Sequence, residues 1–272
     1  ISPAAALPAA AAPSRRGNAP RGPRLLLPSF ALVTGFWWLA TGVVIAAQRD
    51  GPTRLASLAA ASVGAVAGLW LIHATRTGTS PGAARRSMVG GSLLWLWVAT
   101  TFYGGWIVGP SPRPLAPGAS RIDAAAAALH ALAWHEAASI AVVLAAALLS
   151  RGAANRAGRD ALAAFWGTQQ LAKVNVLLGV ANPGAGYLPE WLRFLQMYFG
   201  PPANSPLLAL SMAGLAAGAA WLALYAVRCS DAPRRASAAM VAWIVALAAL
   251  EHAFLAVAWH APLWDVFLRL RG

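Results

Sequence analysis

Apolar residues along this chain come in long unbroken runs rather than in alternation or in narrow stripes. Seven such runs stand out, over about 30–48, 55–75, 87–109, 123–149, 160–181, 205–228 and 236–258. A helix needs roughly 20 mostly apolar residues to cross the hydrocarbon layer. Inside that layer a helix satisfies its own backbone groups. The pattern therefore predicts an all-α, polytopic transmembrane bundle of about seven helices. The fourth run is long enough to tilt or protrude. No internal repeat is visible.

One stretch departs from the pattern. Asn182-Pro183-Gly184 after the fifth run signals a turn. It leads to Leu188-Pro189-Glu190-Trp191-Leu192-Arg193 and on to Phe199. Pro189 suits a first helical position and Glu190 a first turn. Leu188, Trp191, Leu192, Leu195 and Phe199 share a face at α-helical spacing, and Glu190 can pair with Arg193. A short amphipathic helix is expected over 188–199. It would lie in the membrane interface or against the protein's own loops, and end at Gly200-Pro201-Pro202.

Composition changes the picture at the ends and in the loops. Only 11% of residues are charged and 59% are hydrophobic, where a soluble domain carries about a quarter charged. Residues 1–29 are rich in Pro, Ala and Arg and lack the apolar centre of a signal peptide. They read as a cytoplasmic tail, disordered in isolation, ahead of a membrane domain over 30–272. The chain starts at Ile1 rather than Met, so an upstream part is expected to have been removed or left out. The net charge is +13. With no basic groove or recognition motif to carry nucleic acid, this charge reads as topology signal and contact with anionic headgroups. With seven spans, thirteen arginines fall on the side of the tail and seven on the other. That bias predicts a cytoplasmic N-terminus and a periplasmic C-terminus. The single cysteine, Cys229, excludes an internal disulfide and reads as an inert thiol at a helix end.

Three ionisable residues fall well inside apolar runs: Glu136, Lys173 and Glu251. Each costs about 2.5–3.5 kcal/mol near mid-membrane on insertion scales, so each needs a partner. All three lie within roughly 6 Å in depth at 1.5 Å per residue, so Lys173 can pair with Glu136 or with Glu251. Gln169, Gln170 and Lys173 share a face with Trp166, and Asn175 is near. These groups read first as a buried polar lock or docking feature, and second as a proton path or ligand site of a transporter or channel. His130, His135 and His252 are possible pigment ligands, a third reading. No His pair has the i,i+4 spacing of a metal site. There is no phosphate loop, nucleophile elbow or zinc signature, so neither a metal nor an enzymatic activity is expected.

A family resemblance emerges from these residues. Leu171-Ala172-Lys173-Val174-Asn175-Val176-Leu177-Leu178-Gly179-Val180, then Asn182, then Leu188 to Leu195 and Tyr198-Phe199, resembles the PuhE family of photosynthetic complex assembly proteins in anoxygenic phototrophic bacteria. Phe36-Trp37-Trp38 with Thr41-Gly42, His135-Glu136 and Leu250-Glu251-His252 resemble other parts of that family. The loop from Ala181 to Tyr187 carries fewer acidic residues than the family pattern. The resemblance implies a multi-pass protein of the bacterial photosynthetic membrane that helps assemble or stabilise the reaction-centre–light-harvesting complex. Its partners would be subunits of that complex and membrane lipids. No cofactor would be required, though bacteriochlorophyll, carotenoid or lipid could be bound through the complex. A transient assembly factor and a resident subunit both fit.

Overall fold

A computed structural model describes residues 26–257 and 262–272, and every element among them is helical. The chain runs through α1 (Leu26–Ala46), α2 (Gly51–Thr75), α3 (Pro81–Tyr103), α4 (Arg121–Ala131), α5 (Ala133–Leu149), α6 (Ala157–Leu178), α7 (Pro206–Arg228), α8 (Ala232–Ala256) and a short α9 (Asp265–Arg271). Residues 1–25 of the expected tail lie outside the described residues. The last four tail residues, 26–29, already belong to α1.

Most helix starts follow from local chemistry. Asp50, Ser80, Ser120 and Asp231 each cap the first turn of a helix with a side-chain oxygen. Proline stands at the first or second position of α2, α3, α7 and α8. There its missing N–H costs nothing and its fixed φ suits the turn. Ser120 and Asp123 complete a reciprocal capping box at α4.

Helices occupy all seven predicted runs, but the count of seven crossings does not follow. Four helices, α1, α2, α7 and α8, are long and apolar enough to cross a membrane, or five if α4 and α5 form one broken span. α3 and α6 have sufficient length but are less apolar. They carry Arg85, Arg86, Arg159, Asp160 and Lys173 and occupy the middle of the bundle, where lipid need not be met.

The predicted fourth helix is broken. α4 and α5 meet at Leu132 with a bend of 69°. No proline or glycine sits at the break; the cause is another segment. The His135 amide donates to the carbonyl of Val108 at 2.8 Å, not to the carbonyl four residues before it. Gly109 lies flat against the Ala131 carbonyl, in a space no side chain could share. The connection after α3 thus wedges into the helix, and such an insertion is an ordinary source of a sharp kink.

The principal core joins α1, α3, α6 and α8 through Val33, Met88, Phe165, Met240 and Ile244. Trp95 of α3 stacks on Phe165 of α6, with ring centres 6.0 Å apart. Glycine permits the closest approaches. Gly68 faces Gly90 between α2 and α3, and Gly91 faces Gly158 between α3 and α6. Small residues at such crossings let backbones touch, which is how helices gain packing energy where lipid is the solvent.

The segment expected to form an α-helix over 188–199 is a 3-10 helix, Glu190–Tyr198. Its buried residues are Leu192, Leu195 and Tyr198. That interval of three matches three residues per turn, not 3.6. The face packs against Phe102 and Ala131 at the ends of α3 and α4. The segment is therefore a cap on one end of the bundle, seated on the protein's own helices.

Candidate functional site

The polar residues of the sequence sort into two groups on different helices. The first lies between α5 and α6. Lys173 Nζ sits 2.5 Å from Glu136 Oε1, and Gln170 Nε2 donates to Glu136 Oε2 at 2.9 Å. Glu136 thus receives two donors from one face of α6, spaced i and i+3. The break at Leu132 gives Glu136 a further partner. It stands in the first turn of α5, at the positive end of that helix dipole, where a carboxylate is stabilised. Both charged side chains are mostly covered, 25% exposed for Lys173 and 14% for Glu136. Gln169 is half-buried on the same helix and takes no part in these bonds.

Two residues further along α6, Asn175 is fully buried and ties α6 to α7. Its Nδ2 donates to Ser211 Oγ and to the Leu171 carbonyl, each at 2.9 Å. Ser211 carries no sequence signal of its own, being one of several hydroxyls in apolar runs.

Glu251 belongs to the second group, away from this pair. It is exposed on α8, where the Trp37 indole N–H of α1 donates to its carboxylate at 2.5 Å. Trp264 packs edge-on against Trp37, with centres 5.0 Å apart. Of the two partners open to Lys173 in the sequence, the structure supplies Glu136.

His135 and His252 are buried, 2% and 1% exposed, and the Nε2 of each lacks a hydrogen-bond partner. His135 packs its ring on Phe102, with centres 4.4 Å apart. His252 Nδ1 lies 2.7 Å from the Ala248 carbonyl, which places the proton on Nδ1 and a lone pair on Nε2. Neither ring lines the cavity beside Arg54 and Trp191 or the one beside Arg156 and Trp221. His130 is half-buried in the last turn of α4. Among the described residues, no three His, Cys, Asp or Glu side chains gather as a metal site would require.

The connection from Gly179 to Ser205 completes the arrangement. Asn182 Nδ2 donates to the Phe254 carbonyl at 3.0 Å, its own amide donates to Leu255, and Asn204 Nδ2 donates to Ala256 at 2.7 Å. Three of the last carbonyls of α8, which no later turn can satisfy, are thus capped by a loop from elsewhere in the chain. Gly179 makes the turn into this loop with φ +121°, a conformation open to glycine alone among common residues.

At the other edge of the cap, Trp191 donates to the Tyr103 carbonyl at 2.9 Å. The Arg54 guanidinium lies over the Trp191 ring at 3.8 Å and near Trp106 at 5.3 Å, while donating to the Gly104 carbonyl. Tyr198 pins the loop at Arg113, donating to its carbonyl and accepting from its amide. The sequence marked Trp191 and Leu192 but not Arg54, whose role depends on two rings from distant loops. Arg54 and Trp191 border a small cavity of about 320 Å³.

A family model described as a protein of unknown function, DUF3623, matches residues 25–271. The chain belongs to this family. It is also similar to a Rhodobacter capsulatus protein described as an uncharacterized 30.4 kDa protein in the puhA 5′ region, with 28% identity over 177 residues. That match spans 62% of this chain and 64% of the relative's length, just under two thirds. No solved structure matches the chain.

Proposed function

We propose that this protein is a non-enzymatic assembly or structural subunit of a photosynthetic reaction-centre–light-harvesting complex. The reading rests on sequence kinship and on one structural observation. The kinship is the resemblance of residues 171–199 to the PuhE family, together with a relative whose name places it in the puhA 5′ region. The structural observation is what the polar groups within the helices do. Glu136, Gln170 and Lys173 satisfy one another, and Asn175 satisfies Ser211. These bonds fix helix against helix, as a rigid scaffold needs. Glu251, which a shared ion path would join to the other two charges, stands apart on Trp37.

In this reading the seven helical runs cross the bacterial photosynthetic membrane, with a cytoplasmic N-terminus and a periplasmic C-terminus. Deleting the chain lowers the yield of assembled complex while free bacteriochlorophyll is still made. Absorption spectra of membranes and of whole-cell pigment extracts test this together. Unchanged complex yield in the deletion strain contradicts it.

A pigment-handling role is the second reading, favoured by the unpartnered Nε2 of His135 and His252. His252, with its proton on Nδ1, presents the lone pair a chlorophyll magnesium takes, inside a closed core. The absorption spectrum of the pure protein separates the two readings: bound bacteriochlorophyll lost on His252→Ala favours the second.

A further inference from the structure

The larger of the two cavities, about 660 Å³, lies at the opposite end of α6 from the Gly179 turn. It exists because α6 and α7 both pack along α8 but hardly touch each other. The gap between them is a groove floored by Ser237 and Val241 of α8. α7 contributes Trp221 and Tyr225, both exposed on the surface of the bundle, and their rings stack. The mouth is lined by Arg156, Arg159 and Arg234.

The charge at this mouth is unbalanced. Both carboxylates there are engaged within the protein. Asp160 takes Arg159 on Oδ1 at 2.6 Å and the Ser237 hydroxyl on Oδ2 at 3.1 Å. Asp231 Oδ1 caps α8 by accepting from the Arg234 amide at 2.9 Å. Among the described residues, neither the Arg156 nor the Arg234 guanidinium has a carboxylate within ion-pair distance. The N-terminal ends of α6 and α8 open into the same mouth, each with one carboxylate at its start, Asp160 and Asp231, so the three arginines leave a surplus of positive charge there. Trp221 lies seven residues before the end of α7, so the apolar wall reaches about 10 Å below the arginines at 1.5 Å per residue. Cationic at one end and apolar at that depth, the groove has the polarity profile of a phospholipid and not of a free anion.

We propose that this groove holds one anionic phospholipid, with its phosphate between Arg156 and Arg234 and an acyl chain along Trp221 and Val241. Basic pockets between membrane helices bind acidic headgroups through this combination of charge and depth. The proposal stands independently of the assembly role above.

Native mass spectrometry of the full chain in mild detergent tests it, titrating dioleoylphosphatidylglycerol against dioleoylphosphatidylcholine. Inorganic phosphate is a third arm, read by thermal melting. One phosphatidylglycerol is expected to stay bound at least about tenfold more tightly than phosphatidylcholine. Arg156→Gln with Arg234→Gln abolishes that preference. The control pair Arg85→Gln with Arg86→Gln, two exposed arginines of α3, retains it. If the double variant does not fold, loss of the preference in Arg234→Gln alone decides. Equal binding of the two lipids overturns the proposal, as does unchanged selectivity in the Arg156/Arg234 variant or equal loss in the control. Stabilisation by phosphate equal to that by phosphatidylglycerol makes this an anion site and overturns the lipid assignment.

Discussion

Replacing Lys173 by leucine is expected to destabilise the bundle by about 3 kcal/mol, because removing one partner of a buried ion pair leaves the other charge uncompensated. Leucine fills most of the space of the lysine stem with apolar volume, so packing loss is small. What it removes is the ammonium 2.5 Å from Glu136. Glu136 keeps Gln170 and the positive end of α5, so part of its stabilisation survives. Pairing Lys173→Leu with Glu136→Gln removes both charges and keeps an acceptor for Gln170. That double variant is expected to lose about 1 kcal/mol or less. Thermal unfolding in detergent of the two singles and the double measures the coupling. A double as damaging as the sum of the singles would mean that the pair does not hold α5 to α6. Glu251→Gln in the same background is expected to add independently, since Glu251 bonds Trp37 and not Lys173.

The second large effect belongs to a residue with no side chain. Gly91→Val is expected to prevent stable packing of α3 on α6, lowering stability by about 3 kcal/mol or more. A Cβ at Gly91 would fall on the backbone of Gly158, and the clash cannot be relieved by a rotamer. Overpacking a core against side chains costs about 1–3 kcal/mol; against backbone, two helices must separate. The same crossing lets the Gly158 amide donate to Ser87 Oγ at 3.0 Å, a bond that separation would also break. Gly35→Val is the control, because a Cβ there meets nothing within 4 Å. Comparing the yield of monodisperse protein and the melting temperature of the two variants checks the effect. Equal behaviour would show that the contact does not limit packing.

Different elements were legible in the sequence to different degrees. α1, α2, α7 and α8 each hold a long, strongly apolar stretch, and length with apolarity announces them. α3 and α6 come from the same runs, but their charged residues, Arg85, Arg86, Arg159, Asp160 and Lys173, keep them out of the set that length and apolarity alone mark as spans. The break at Leu132 was hidden because its cause lies elsewhere: the Val108 carbonyl takes the His135 amide, and nothing between Arg121 and Leu149 marks the site. The cap over 190–198 is announced by its turn signals, by Pro189 and Glu190 at its start, and by the spacing of its apolar residues. Its pitch was misjudged because Leu192 and Leu195 fit both a period of three and one of 3.6.

The polar residues show the same limit. Depth placed Glu136, Lys173 and Glu251 at one level, but level says nothing about which helices are neighbours. Only packing shows that α6 presents Lys173 and Gln170 to α5 while α8 presents Glu251 to α1. Asn182 was visible as a turn residue. Its part in capping α8 depends on a contact across 72 positions, which local pattern cannot reveal.

Affinity purification of the tagged full chain from phototrophically grown cells in mild detergent, followed by an absorption spectrum and subunit identification, tests the proposed role most directly. Co-purification of reaction-centre or light-harvesting subunits, with their bacteriochlorophyll bands, is the predicted result. A colourless protein that purifies alone from cells rich in assembled complex would contradict it.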